Sequence, residues 1–427
     1  MSSLAAQSLG CGPAGLDVLV REAVLAAGGR LLEGLLDLDR GCAGPRVDCP
    51  GGHVAVFVGY RGKTIATVLG PVRVERAWYH CRACGAGVAP RDAQLGVTGG
   101  SVTAGLAEMI DTVAAVEAFA PAGRLLKTLA GVTVDAKRIE RVAEADGLAA
   151  AAERSARAGG ILSGKIIPLP PEGTTGGELP DMLYVAVDGT GVPTRTAETA
   201  GRAGKQPDGT ARTREVKLAA LFTQTRLDDH GRPARDPGST SYLATFQPPC
   251  EFGNLVRAAA IERGLDTIRQ VVVLGDGARW IWGLADTHFP AATQIVDLFQ
   301  AREHLHELAK LLEFITPDPA AWLTARLTEL DNGDIEAIAA AVGAYQKTGI
   351  DGPKGEQVAT ALAYFTANAR RMRYAHYRRL GMFVGSGVVE AGCKNVIGAR
   401  LKRSGTHWTI PSATAITTLR CQQATAA

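Results

Sequence analysis

Asp188 and Asp276 each stand alone near the end of a run rich in strand-forming residues, MLYVAVDGTGVP and QVVVLGDGARWIW, and each is followed by glycine. Valine, leucine and tyrosine in alternation or in series make strands, and an acid before a glycine marks where a strand ends and the chain turns sharply. Functional side chains collect at such ends. The third acid is Glu390, the single acidic residue in the segment from Gly385 to Thr409, GSGVVEAGCKNVIGARLKRSGTHWT. A helix starting after Gly385-Ser386-Gly387 puts Glu390, Lys394 and Ile397 on one face, with Arg400 to Arg403 one turn further on. Taken alone, Glu390 and Lys394 also read as a solvated pair worth a few tenths of a kcal/mol. Two strand-borne aspartates with a glutamate on a late helix supply the oxygen ligands that hold two Mg²⁺ ions for in-line phosphoryl transfer.

Five stretches carry a family resemblance: YVAVDGTGVP, GKQPDGTARTREVKL, VVLGDGARWIW, IVDLF and the segment from Gly385 to Trp408. Together they resemble an insertion-sequence DDE transposase of the ISKra type, over most of the chain. The resemblance implies an α/β ribonuclease-H-like catalytic domain at 183–427 with an all-α insertion at about 302–384. It further implies that Asp188 bridges both Mg²⁺ ions while Asp276 completes one and Glu390 the other. The activity implied is cutting of transposon ends and their joining to target DNA. Asp297 falls in a short Asp-x-x-His element of the family, auxiliary to the site, in which Gln300 replaces the histidine.

The region that must position these acids reads as strands over 182–192, 215–224 and 242–246, a helix over 251–264, a strand over 270–276, a short helix, and a strand over 293–299. In the ribonuclease-H order the first and fourth strands are neighbours, so Asp188 and Asp276 meet. The helical stretch before Gly385 ends in a basic, aromatic run, Arg370, Arg371, Arg373, Tyr374, His376, Tyr377, Arg378 and Arg379. That mixture suits phosphate pairing and base stacking, or a solvated helix face. The loop from Arg195 to Arg214, with Arg202, Lys205 and Arg212, follows the Asp188 strand and is placed to hold the DNA strand being cut. Arg195, Arg202, Lys205, Arg212, Arg378, Arg379, Lys394, Arg400, Lys402, Arg403 and Trp408 are therefore the candidate DNA-binding residues. His304 and His306 read as polar-face residues of a helix, and Glu251 and Glu303 as surface or capping residues.

Further upstream, residues 1–40 carry an amphipathic helix over 15–40, with Gly28-Gly29 as a candidate interruption. Residues 41–100 place Cys49-Pro50-Gly51-Gly52-His53 and Cys81-Arg82-Ala83-Cys84 around two strand-like runs, the layout of a zinc-ribbon-like β-hairpin. The family shows cysteine where this chain has Gly52. Cys49, His53, Cys81 and Cys84 can still make a Cys₃His site for one structural Zn²⁺, with Cys42 as a substitute ligand; otherwise only a hairpin remains. Residues 101–157 are helical with a break at Pro121. Gly131 and the cap Asp135 precede a helix with Lys137, Arg138 and Arg141, in the manner of a DNA-reading helix-turn-helix or of a plain packing pair. Residues 158–182 are crowded with glycine and proline and read as a linker.

At 427 residues the chain is long enough for two or three cores. With 46% hydrophobic and 21% charged residues it is globular, and a net charge of +3 is too small to establish a nucleic-acid partner without the local clusters above. The opening MSSLAAQSLG lacks a basic leader, and later apolar runs stop short of the roughly 20 residues of a membrane span, so a soluble, cytoplasmic protein is expected. DNA is the expected partner, in a homodimer or larger assembly, because two ends must be brought together. The competing readings are an inactive or domesticated DNA-binding protein and a nuclease of the same fold without strand transfer.

Overall fold

Apolar residues at alternate or consecutive positions set most of the elements in this computed structural model, which describes residues 13–169, 180–204, 206–346 and 352–426. The chain divides into two compact units, Met1–Asp146 and Gly147–Ala427. Among the described residues no helix is long and apolar enough to cross a membrane.

The first unit is a helix-flanked antiparallel sheet. After α1 (Pro13–Asp37) come β1 (Arg46–Asp48), β2 (Val54–Thr67), β3 (Gly70–His80) and β4 (Gly87–Val88), paired in that order. The two expected strand runs, VAVFVGYRG ending at Gly62 and TIATVLGPVRVERAWY after it, prove to be divided later than their sequence suggests. β2 continues through Gly62 to Thr67, and a tight turn leads into β3 at Gly70, whose φ is +101°. A bulge between Phe57 and Gly59 absorbs a flexible glycine without ending the strand. Nor does Gly28-Gly29 interrupt α1; here the helix packs closely on the hairpin, and a Cβ on Gly28 would lie 3.4 Å from Leu69. Next come α2 (Pro90–Gln94), α3 (Ala104–Val116) and α4 (Phe119–Leu125), which runs on as a π turn, Leu126–Ala130. Pro121 stands in the first turn of α4, where a missing N–H costs little. Gly131, at φ +74°, makes the turn into α5 (Ala136–Leu162), and Asp135 accepts the Arg138 N–H at 2.9 Å as its cap. This helix of 27 residues starts in the first unit and ends in the second. It therefore takes up the first residues of the expected linker, of which 170–179 lie outside the described residues.

The second unit is built on β5 (Met182–Pro193), β6 (Thr213–Gln224), β7 (Ser241–Thr245), β8 (Gln270–Gly275) and β9 (Thr293–Val296), in spatial order β7-β6-β5-β8-β9. β5, β6 and β7 are antiparallel, and β5, β8 and β9 are parallel. This mixed sheet is consistent with a ribonuclease-H-like fold. Leu183 to Val187 are all fully buried, as expected of a central strand covered on both faces. The helices are α6 (Thr196–Thr199), α7 (Pro249–Glu262), α8 (Arg279–His288), α9 (Leu298–Leu312), α10 (Pro319–Asn332), α11 (Ile335–Gln346), α12 (Gly352–Asn368) and α13 (Tyr374–Arg379). α14 (Gly387–Gly392) then continues through a π turn, Cys393–Gly398, into α15 (Ala399–Leu401), and α16 (Ile410–Ala426) closes the chain's described part. The fifth strand is shorter than expected: it ends at Val296, because Asp297 caps α9 by accepting the Gln300 N–H at 2.9 Å.

Candidate active site and candidate metal centre

The sheet register brings the strand-borne acids to one level. β5 pairs with β8 as far as Ala186 opposite Leu274, so Asp188 and Asp276 each stand two residues beyond the last pair. β8 pairs with β9 as far as Gly275 opposite Val296, which puts Asp297 level with Asp276. Asp276 and Asp297 follow the carboxyl ends of β8 and β9, but Asp188 lies within β5 and not at its expected end, because the antiparallel ladder with β6 carries the strand on to Pro193. The row is beside the point where the strand order reverses, the place where open α/β sheets bind ligands. Asp188 accepts the Gly189 N–H at 2.7 Å on one oxygen and the Cys393 thiol at 3.1 Å on the other. Asp276 accepts the Ala278 N–H at 2.9 Å, and its carbonyl accepts the Tyr364 hydroxyl at 3.0 Å.

Glu390 arrives on α14, which crosses close over the sheet because Gly392 has no side chain. A Cβ there would lie 2.7 Å from Tyr242 and 2.8 Å from Leu218. The start of α14 is anchored by Asp297, which is fully buried and accepts the Ser386 N–H. Leu298 N–H adds a bond of 2.9 Å to the Val384 carbonyl. The expected common face of Glu390, Lys394 and Ile397 is not kept. The π turn at Cys393–Gly398 changes the period, leaving Lys394 exposed and Ile397 fully buried. Burial, and then the charge of Asp297, push the Glu390 carboxyl up; Lys394 opposes this and Asp188 adds to it. Burial also raises Asp188, against the Cys393 and Gly189 hydrogen bonds, and Asp276 raises it further. Half-buried acids that repel one another in this way are stabilised by a cation among them.

The basic residues divide sharply. Arg195, Arg202, Arg212, Lys394 and Lys402 are exposed and Arg403 is half-buried, while Lys205 lies outside the described residues. Lys402 donates to the Thr190 hydroxyl, and its charge lowers the Asp188 pKa. Arg400 and Trp408, expected to face DNA, are instead buried, at 1% and 6% exposure. The Arg400 guanidinium lies 4.9 Å from the Trp408 ring, and the indole N–H donates to Leu401 at 3.0 Å. Trp408 works as a staple: its N–H donates to Pro193 at 3.1 Å and its carbonyl accepts from Arg195 N–H at 2.9 Å, tying this segment to the end of β5. The basic, aromatic run before Gly385 is also largely structural. Tyr374 and Tyr377 are buried, Arg371 lies 4.6 Å from Trp282, and Arg373 pairs with Glu336 at 2.7 Å. Arg370, Arg378 and Arg379 remain exposed.

In the first unit Cys49, His53, Cys81 and Cys84 offer ligand atoms that all lie within 4.8 Å of one another. Cys49 Sγ is 3.6 Å from Cys84 Sγ and 3.7 Å from His53 Nδ1. A tetrahedral ion with bonds of about 2.3 Å to sulfur sets its ligand atoms about 3.8 Å apart, so the set fits zinc. Gly52 occupies a left-handed position at φ +74°, and the ligand comes from the next residue, His53. Burial raises the Cys49 thiol, but the His53 and Gly51 N–H groups outweigh it and bring it below its usual range. Cys81 is likewise lowered, chiefly by the Cys84 N–H. Cys42 is not part of the set: it lies 3.8 Å from the Tyr79 hydroxyl. Among the described residues this is the one group gathered so tightly, and Asp188, Asp276 and Glu390 do not meet that spacing.

Sequence reasoning passed over Cys393, three residues after Glu390, and the anchoring role of Asp297. The EAGC order contained the first, since a small residue and then a hydrogen-bond donor follow the acid; nothing local signals the second.

No protein-family model matches the chain, and no curated protein matches it. Among solved structures it is similar to the Drosophila P element transposase strand transfer complex, at 10% identity and a TM-score of 0.25, over 78% of this chain and 82% of that chain.

Proposed function

We propose that this chain is a DDE transposase, of the ISKra type that its motifs resemble, which cuts transposon ends and joins them to target DNA. The observation that supports this most is that Asp188 on β5 and Asp276 just past β8 stand at one level of the sheet, with Glu390 on α14 near enough for the charge of Asp188 to act on it. Asp188, Asp276 and Glu390 are the residues that would hold two Mg²⁺ ions. Bound there, the ions supply the positive charge that lets water, and then a freed 3′-hydroxyl, attack a phosphodiester.

The protein's own share is orientation and charge. Gly189 and Cys393 hold the Asp188 carboxylate, and Ala278 holds that of Asp276. Lys402, beside Thr190, offers a cation to a phosphate close to Asp188, while exposed Arg195, Arg202 and Arg212 line the loop that follows β5 and grip the DNA backbone. The Cys₃His set holds one zinc ion; four protein ligands leave no open position, so its role is structural. Two DNA ends must be held at once, which calls for a dimer or larger assembly.

The test is to incubate the purified full chain with Mg²⁺ and the DNA that flanks its gene. Cutting plus joining is expected, both lost on adding a chelator. Cutting alone would make it a nuclease of this fold, and binding without cutting a DNA-binding protein that has lost its chemistry.

A further inference from the structure

Cys393 is a half-buried thiol on the first residue of the π turn that follows α14, three residues after Glu390. Its Sγ lies 3.1 Å from Asp188 Oδ2, a contact between positions 205 residues apart in sequence. The other oxygen of the same carboxylate accepts the Gly189 N–H at 2.7 Å. Asp188 is thus gripped on both oxygens, each of which keeps a further lone pair for a cation. π turns inserted in helices are frequent at functional sites, and this one sits where the helix must turn a donor toward the sheet. Gly392, pressed against Tyr242 and Leu218, brings the backbone close enough for a short side chain to reach.

We propose that Cys393 is a positioning residue: its thiol fixes the rotamer of Asp188 and, on the π turn that directly continues the helix of Glu390, sets the separation between the two carboxylates. The proposal rests on the metal-site reading given above. Groups that orient metal ligands without touching the metal typically contribute about 10- to 100-fold in metal affinity or activity. Serine preserves the donor on a slightly shorter arm, and alanine removes it.

The experiment is Mn²⁺ binding by the full chain, followed by calorimetry in the absence of DNA, for the parent, Cys393→Ala, Cys393→Ser and Asp188→Asn, with thermal melting of each protein alongside. The parent should bind Mn²⁺ at a site that Asp188→Asn abolishes. Cys393→Ala should bind about 10-fold more weakly at a nearly unchanged melting temperature, and Cys393→Ser should recover most of the loss. Parent-like Mn²⁺ affinity in Cys393→Ala would overturn the proposal while leaving the metal site standing. Equal losses in the serine and alanine variants would also overturn it, because packing rather than the hydrogen bond would then be at stake. Absence of any Mn²⁺ site sensitive to Asp188→Asn in the parent would instead bring down the metal-site reading, and this proposal with it.

Discussion

Glu390 and Lys394 stand four residues apart, and chemistry rather than spacing separates a metal ligand from a surface ion pair. In a pair, either substitution costs a few tenths of a kcal/mol and catalysis is nearly intact. A ligand behaves differently, because glutamine keeps the shape and one carbonyl oxygen but loses the charge that Mg²⁺ draws on. Glu390→Gln should therefore lower Mg²⁺-dependent cleavage by roughly a hundredfold or more, a loss of about 3 kcal/mol, at undiminished binding of transposon ends. Asp188→Asn and Asp276→Asn should match it, with Lys394→Ala much milder, all four being read in one cleavage assay. Near-normal cutting by Glu390→Gln would move the third ligand elsewhere. Asp297, level with Asp276 in the sheet register, would then be the first residue to test.

At the scale of elements, the packing of α3 beside α5 brings Asp111 near Asp146. Burial first, and the charge of Asp146 second, raise the Asp111 carboxyl to about 7. An unfolded aspartate releases its proton near pH 4, so between these values the folded chain holds a proton that the unfolded chain has lost. The contribution to stability is complete below about pH 4 and disappears as pH rises through about 7. Asp111→Asn should accordingly raise the melting temperature at pH 8 and flatten its dependence on pH between 5 and 8. An asparagine variant that melts with the parent's slope against pH would show that this pair does not set the stability of the helices. Alternating valines made β2 and β3 legible, but their turn fell at Gly70 because cross-strand pairing carries β2 past Gly62. The face of Glu390 was misjudged because a π turn leaves no local mark in composition.

Across the whole molecule, the Cys₃His set belongs to the first unit and the acids to the second. Structural zinc contributes roughly 10 kcal/mol or more in isolated zinc-finger peptides, and one kcal/mol shifts the melting temperature by about 2–4 °C in units of this size. Strong chelation should thus lower melting by roughly 20 °C or more, and Cys81→Ser should do so without chelator. Elemental analysis of the purified chain should find one zinc ion; its absence together with parent-like melting of Cys81→Ser would leave only a hairpin. The DNA interface has its own signature. Backbone contacts release counterions whatever the sequence, so Arg202→Ala with Arg378→Ala should weaken binding to all DNA alike and flatten the salt dependence by about one unit of slope per lost contact. A loss confined to transposon-end sequences would mean that these arginines read bases.

The sequence by itself determined the order of strands and helices, Asp276 at the end of β8, and the hairpin carrying Cys49, His53, Cys81 and Cys84, whereas Asp188 lies within β5, which pairing with β6 carries on to Pro193. These follow from local causes: apolar periodicity, the turns that glycine permits, and the spacing of ligands around one hairpin. Only the tertiary structure decided which basic and aromatic residues face solvent. Arg371, Tyr374, Arg400 and Trp408 look in sequence like a nucleic-acid surface, yet all four are buried, Arg371 against Trp282 and Arg400 against Trp408. The thiol of Cys393 on Asp188 and the grip of Asp297 on Ser386 were equally invisible. Each joins residues far apart in the chain, and such pairs become neighbours only when the sheet register and the close passage of α14 over Leu218 have fixed where both backbones run.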